Sequence, residues 1–274
     1  MANSLLRILG VLFLLTGLFS CSPAQWSVEK EIEMAGVAPI GIAPGYEGNF
    51  WVSDGDNNRL VLVNKEGEIK QEIANIERPM HIHAEGSTVF VPSYGSDEIF
   101  HFTTSQQKTF RISLSISEEL DAPAAYHRDR EREAIADFYS HSVLYKAGSG
   151  WKRIGEQGQV DGAFRYPTDL QWFGDELYVA DAYNHRIQVF DTKGQHLRTF
   201  GEEEDMNATT GIFIHQDEVI VTDFENSRLL FYSLAGEFLY VLEKGFDKPT
   251  DITYSDENLI VTNYRSGKLT VLSK

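Results

Sequence analysis

Tyr178-Val179-Ala180-Asp181, followed two residues later by Asn184-His185-Arg186 and then by Ile187-Gln188-Val189-Phe190, is the stretch whose reading decides the fold. Pro167 precedes it and a turn at Asp191-Thr192-Lys193-Gly194 follows it. Copies of this phrase, several of them degraded, fill the chain after residue 35. Aligned on Asp181, they place Asp54, Ser93, Asp137, Asp181, Asp223 and Asn263 at one position, with gaps of 39, 44, 44, 42 and 40 residues. A period of ~40–45 residues is that of a four-stranded propeller blade. The leading proline repeats independently: Pro79, Pro123, Pro167 and Pro249 lie 14 residues before their marker, Thr209 takes that place in the fifth copy, and Pro39 lies 15 before Asp54. A β unit this short cannot bury its apolar face alone, so it stacks on its neighbours.

Within each copy the first strand follows the proline, the second is the apolar run ending at the marker, and the third alternates from the basic residue, as in Arg59 to Val63. Alternation rich in β-branched and aromatic residues reads as half-buried strand. Gly67, Gly194 and Gly236 share one turn position, where a positive φ is expected. The sixth copy runs out at Lys274 with no fourth strand, while Trp26 to Glu33, before the first copy, reads as an orphan strand. The expected fold is therefore all-β, a six-bladed β-propeller closed by an N-terminal strand that completes the last blade and removes the open sheet edge.

The first 21 residues stand apart. Arg7 precedes the apolar run Ile8 to Phe19, which is shorter than the ~20 residues of a membrane span and suits an export signal. Leu18-Phe19-Ser20-Cys21 resembles the lipobox of bacterial lipoproteins, which implies cleavage before Cys21 and lipid on it. Ser22 after it implies the outer membrane in a host with two membranes. The domain reading is then a leader over 1–21, a tether over 22–25 and the propeller over 26–274. Cys21 is the single cysteine, so the propeller holds no disulfide and no thiol nucleophile. Without residues 1–21 the chain carries 23 basic and 41 acidic side chains, a net charge of −18. Such a surface repels phosphate backbones, so nucleic acid is not an expected partner. Membrane contact is expected only through the lipid, and the expected state is a monomer.

Topology puts the prolines and markers at one end of every blade, so a ligand site is expected at that channel mouth. The second residues after the blade-leading positions are Gly41, His81, Ala125, Asp169, Gly211 and Asp251. Small residues alternate with metal-ligand types, and an imidazole with two carboxylates converging on the axis suits one divalent metal, zinc or calcium. The same residues also read, without a metal, as caps of the strand start that meet channel water. The marker acids are expected to accept backbone N–H groups of the turn that follows, or to pair with Arg59, Arg186 and Arg228. Tyr94, Tyr183, Phe224 and Tyr264, together with Phe138, either ring the mouth or pack between blades. The EF-hand-like opening at Asp54 fails, because Arg59 stands at the glycine position and Lys65 at the final glutamate.

The phrase at 178–190 and its approach loop, Gly155 to Phe164 before Pro167, resemble NHL repeats; the second and sixth copies also resemble YVTN repeats. The resemblance covers residues 36–274 and implies a propeller, a scaffold that hosts binding modules and enzymes alike; the expected function is binding of a ligand or an envelope protein at the mouth. RNA-binding NHL domains use basic surfaces, which this chain lacks. The peptidylamidoglycolate lyases are similar in fold and hold a metal through axial histidines from alternate blades. The matching positions here are His81, Asp169 and Asp251, one histidine in place of three. This implies, as the alternative, a metal-dependent lyase or hydrolase with Tyr94 or Tyr264 as proton donor.

Overall fold

The computed structural model describes residues 25–105, 108–113, 116, 119–148 and 150–274. The leader, Cys21 and most of the tether lie outside the described residues. The rest forms six antiparallel four-stranded sheets, each a meander from the axis outward. Blade four is typical, with strands Pro167–Phe173, Glu176–Asp181, Arg186–Asp191 and His196–Phe200. In the sixth sheet the outermost strand is Ser27–Glu33, antiparallel to Lys268–Ser273, with Val28 opposite Leu272 and Ile32 opposite Leu269. The expected closure is present. Six apolar clusters fill the six interfaces between blades; Trp26 is buried between blades five and six, and Ile32 and Met34 between six and one.

The marker acids hold the ring together differently from expectation. Asp54 Oδ1 accepts the amide of Ala38, and Asp137, Asp181 and Asp223 likewise accept those of Asp121, Arg165 and Asn207, at 2.7–2.9 Å. Each amide lies 16 residues upstream, in the loop that enters the blade, and not in the turn that follows. Asn263 does the same for Asp247. In blade two Ser93 instead donates its hydroxyl to the Glu77 carbonyl. The expected arginine pairs do form, Asp54 with Arg59, Asp181 with Arg186 and Asp223 with Arg228, at 2.7–2.9 Å. Blade three has Ser142 where blades one, four, five and six carry a basic residue, and Arg153 of its fourth strand reaches Asp137 at 2.6 Å instead.

A second tie joins each of the first five blades to the next. Asn58, Asp97, His141, His185 and Ser227, four residues after their markers, have φ between 50° and 57°. Their side chains accept the amides of Arg78, Ala122, Tyr166, Ala208 and Lys248. The histidine of the repeated phrase is thus a left-handed turn residue whose Nδ1 is a hydrogen-bond acceptor.

Candidate axial site and the two channel mouths

The innermost strand of a propeller blade is an edge strand, so its N–H groups need acceptors from outside its own sheet. The axial residues meet that need where the strand register slips. The pairing shifts between Pro167 and Asp169, between Thr209 and Ile212, and between Pro249 and Ile252, and such bulges re-aim side chains. Asp169 Oδ1 accepts the Leu170 amide, and its Oδ2 accepts that of Ile212 in the next blade at 2.8 Å. Asp251 repeats the arrangement with Ile252 and with Ile42 of blade one. The glycines between them have a packing reason: a Cβ on Gly41 would lie 2.5 Å from the Met80 carbonyl oxygen, and one on Gly211 would lie 2.3 Å from that of Thr250. Backbone thus packs against both glycines at the waist of the channel, and among the described residues three of the six equivalent positions carry a side chain larger than alanine.

Those three are His81, Asp169 and Asp251, at 4%, 7% and 6% exposure. The alternate-blade pattern expected from the sequence is therefore brought together in space, with one ligand atom from each residue lying within 4.8 Å of the others. His81 Nδ1 is 3.6 Å from Asp251 Oδ2 and 3.9 Å from Asp169 Oδ2, and it has no hydrogen-bond partner. Burial alone would lower the imidazole pKa, but the two carboxylates outweigh it and raise it. Burial lifts Asp169 to about 7, against the pull of His81 and with a further push from Asp251.

The donor set passes a test of fit for a small divalent ion. Bonds of ~2.0–2.1 Å to a tetrahedral ion place its ligands ~3.3–3.5 Å apart, close to the two separations from His81. An orphaned buried nitrogen facing two carboxylate oxygens is also what a bound ion would satisfy. Calcium prefers six to eight oxygens, which this set does not offer, so of the two expected metals zinc matches better.

The waist separates two cavities. The upper one, on the marker face, has a volume of about 330 Å³, with His81 at its base and Phe138, Tyr183, Phe224 and Tyr264 in its walls. Three of the four expected mouth aromatics line it directly. Tyr94 stands behind, its ring against Phe138, Tyr139 and the Arg78 guanidinium. The Tyr264 hydroxyl donates to Asp56 at 2.7 Å, which with partial burial raises its pKa. Neither tyrosine hydrogen-bonds to the axial trio.

The lower cavity, on the opposite face, has a volume of about 230 Å³ and is lined by Asp169 and Asp251 together with His83 and His127. Sequence reasoning missed this face. His83 and His127 stand two residues beyond His81 and Ala125, so the period-2 alternation of the inner strands was the available signal. Their rings lie 4.5 Å apart. His127 Nδ1 accepts the Trp172 amide, which places its proton on Nε2. Burial, and then the charge of Arg128, lowers His83 to about 4, and burial holds His127 well below the usual range.

Comparison with known proteins agrees with this architecture. A family model described as NHL repeat matches residues 164–190, the approach to blade four and its first three strands. No curated protein matches the chain. Among solved structures, a streptogramin B lyase superposes with a TM-score of 0.67 at 12% identity, over 91% of this chain and 87% of that one. A catalytically inactive virginiamycin B lyase from Staphylococcus aureus with quinupristin gives 0.67 at 13%, over 91% and 100%. A luciferin-regenerating enzyme gives 0.68 at 12%, over 89% and 95%. At these identities the likeness is one of fold. This chain is a six-bladed β-propeller that carries an NHL repeat.

Proposed function

We propose that this protein is a lipid-anchored propeller of the bacterial cell envelope that binds a ligand or partner protein at its channel mouth, over one divalent metal held by His81, Asp169 and Asp251. The observation that carries the metal is the buried His81 Nδ1, without a hydrogen-bond partner and aimed at two carboxylate oxygens. A buried nitrogen left in that state costs ~1–3 kcal/mol, which an ion would recover. Zinc added at a hundredfold excess over Kd should stabilise the fold by about 2.7 kcal/mol. For a domain of this size that is a rise in Tm of roughly 5–10 °C. His81→Ala should show no rise, and a wild-type Tm indifferent to zinc would count against the site.

The anchor rests on Leu18 to Cys21 and on the charged, apolar, then small order of the leader. Placement in the outer membrane rests on Ser22. Cys21→Ser should move the protein from the membrane fraction to the soluble fraction; a variant still sedimenting with membranes would remove the anchor from the account.

A metal-dependent lyase or hydrolase is the second reading. It is favoured by the imidazole pair His83 and His127 facing the same carboxylates from the lower cavity, and two of the similar folds are lyases by name. A bound metal would supply Lewis-acid polarisation of a ligand oxygen. In that reading His127 Nε2–H orients the ligand, while Tyr264 lines the mouth above His81. The two readings part on turnover: a captured ligand recovered unchanged favours binding, and a converted one favours the enzyme.

A further inference from the structure

In blades two to six the residue before the blade-leading position enters with a left-handed backbone. Arg78, Ala122, Tyr166, Ala208 and Lys248 have φ between 49° and 59°. Their amides are taken by the preceding blade, and this geometry sets them around the upper mouth. Two of the five are cations, and they are treated differently. Lys248 is buried and paired with Glu225. Arg78 is exposed, and among the described residues its guanidinium makes no ion pair and no hydrogen bond. The guanidinium lies over the ring of Tyr94, 5.4 Å away, which holds it in place and leaves its donors free.

Arg78 lines the upper cavity with Phe138, Tyr183, Phe224 and Tyr264. Apart from the axial His81 and the half-exposed Tyr183, the other polar side chains there are already used. The hydroxyls of Thr168, Thr210 and Thr250 donate to the carbonyls of Thr209, Pro249 and Pro39 in the next blade. Asp56 accepts from Tyr264, and Glu225 from Lys248. The cavity therefore offers aromatic walls and one uncommitted fork of N–H donors. A fork of this kind matches a carboxylate bidentately. A single guanidinium without further donors suits one negative charge better than the two of a phosphate.

We propose that the upper mouth binds a small monocarboxylate with an apolar body, its carboxylate on Arg78 and its body between Phe138, Tyr183, Phe224 and Tyr264. The cavity volume of about 330 Å³ falls at the low end of the ~300–1,000 Å³ typical of small-molecule sites. Tyr94 then acts as a positioning residue for Arg78. The proposal rests on the reading of this mouth as a ligand site, and it does not depend on the axial metal.

The test is calorimetric titration of the purified full-length protein with 3-phenylpropanoate and with 3-phenylpropan-1-ol, which share a body and differ in the charged head. The wild type should bind the acid at least tenfold more tightly than the alcohol. Arg78→Gln should abolish that preference with metal content and Tm unchanged, because the ties between blades use the Arg78 backbone. Phe224→Ala should weaken both probes. Equal affinity for acid and alcohol, a preference that survives Arg78→Gln, or no binding of the acid would each overturn the proposal. Loss of metal in His81→Ala with the acid preference intact would leave this site standing while confirming the axial one.

Discussion

Removing residues 22–33 abolishes the cooperative thermal transition of the ring, or lowers its Tm by tens of degrees. The deleted strand carries Trp26 and Ile32, which are 3% and 6% exposed and lie in two different interblade clusters. Losing a buried Trp costs ~3–5 kcal/mol and losing a buried Ile ~2–5. Together these approach the whole of a typical ~5–15 kcal/mol stability. The indole N–H also leaves Glu218, its partner at 3.1 Å. The deletion further uncovers the edge of Lys268–Ser273, a template for association with other chains. Circular dichroism melts of the full and shortened chains measure this. A shortened chain that melts like the full one would show that the ring does not need its closing strand.

Asp181→Ala is expected to be nearly as severe. Its carboxylate is fully buried and accepts from the Arg165 amide and from Asn184, Arg186 and Gln188, all at 2.8–2.9 Å. Burial outweighs these donors and raises its pKa, so the site depends on the full set of partners being kept. Truncation strips the buried Arg186 of its carboxylate and the Arg165 amide of its acceptor, while Asn184 and Gln188 fall back on the Gly158 and Ala163 carbonyls, a loss of ~3–5 kcal/mol. The matching fall in Tm is roughly 6–20 °C. Asp181→Asn should also be destabilising, because its amide nitrogen would face the donors of Asn184, Arg186 and Gln188, whereas Asn263 Nδ2 in the sixth blade faces the acceptor Thr270 Oγ1. Equal melts for Asp181→Ala and the wild type would deny the marker its structural role.

The spacing of the markers and prolines carried the blade count, the strand order and the closing strand, because a propeller writes each blade as one sequence period. The axial trio was readable for the same reason: equivalent positions in alternate blades converge wherever sheets are arranged about an axis. What escaped reading depends on contacts between units. The partner of each marker lies 16 residues upstream, outside any local turn pattern. The turn histidines His141 and His185 look like surface residues until the neighbouring amide is in view. The lower cavity escaped because the whole site was expected at the marker face, although His83 and His127, two residues beyond His81 and Ala125, lie further along the same inner strands. His81 belongs to the upper cavity, and Asp169 and Asp251 to the lower, so the site opens on both faces.

Metal content is the most direct measurement of the central claim. Elemental analysis of the purified protein beside His81→Ala should give close to one divalent ion per wild-type chain and a background level in the variant, with both proteins folded. A wild type with no bound metal, even after incubation with zinc and removal of the excess, would contradict the axial centre and leave His81, Asp169 and Asp251 as acceptors for the channel edge alone.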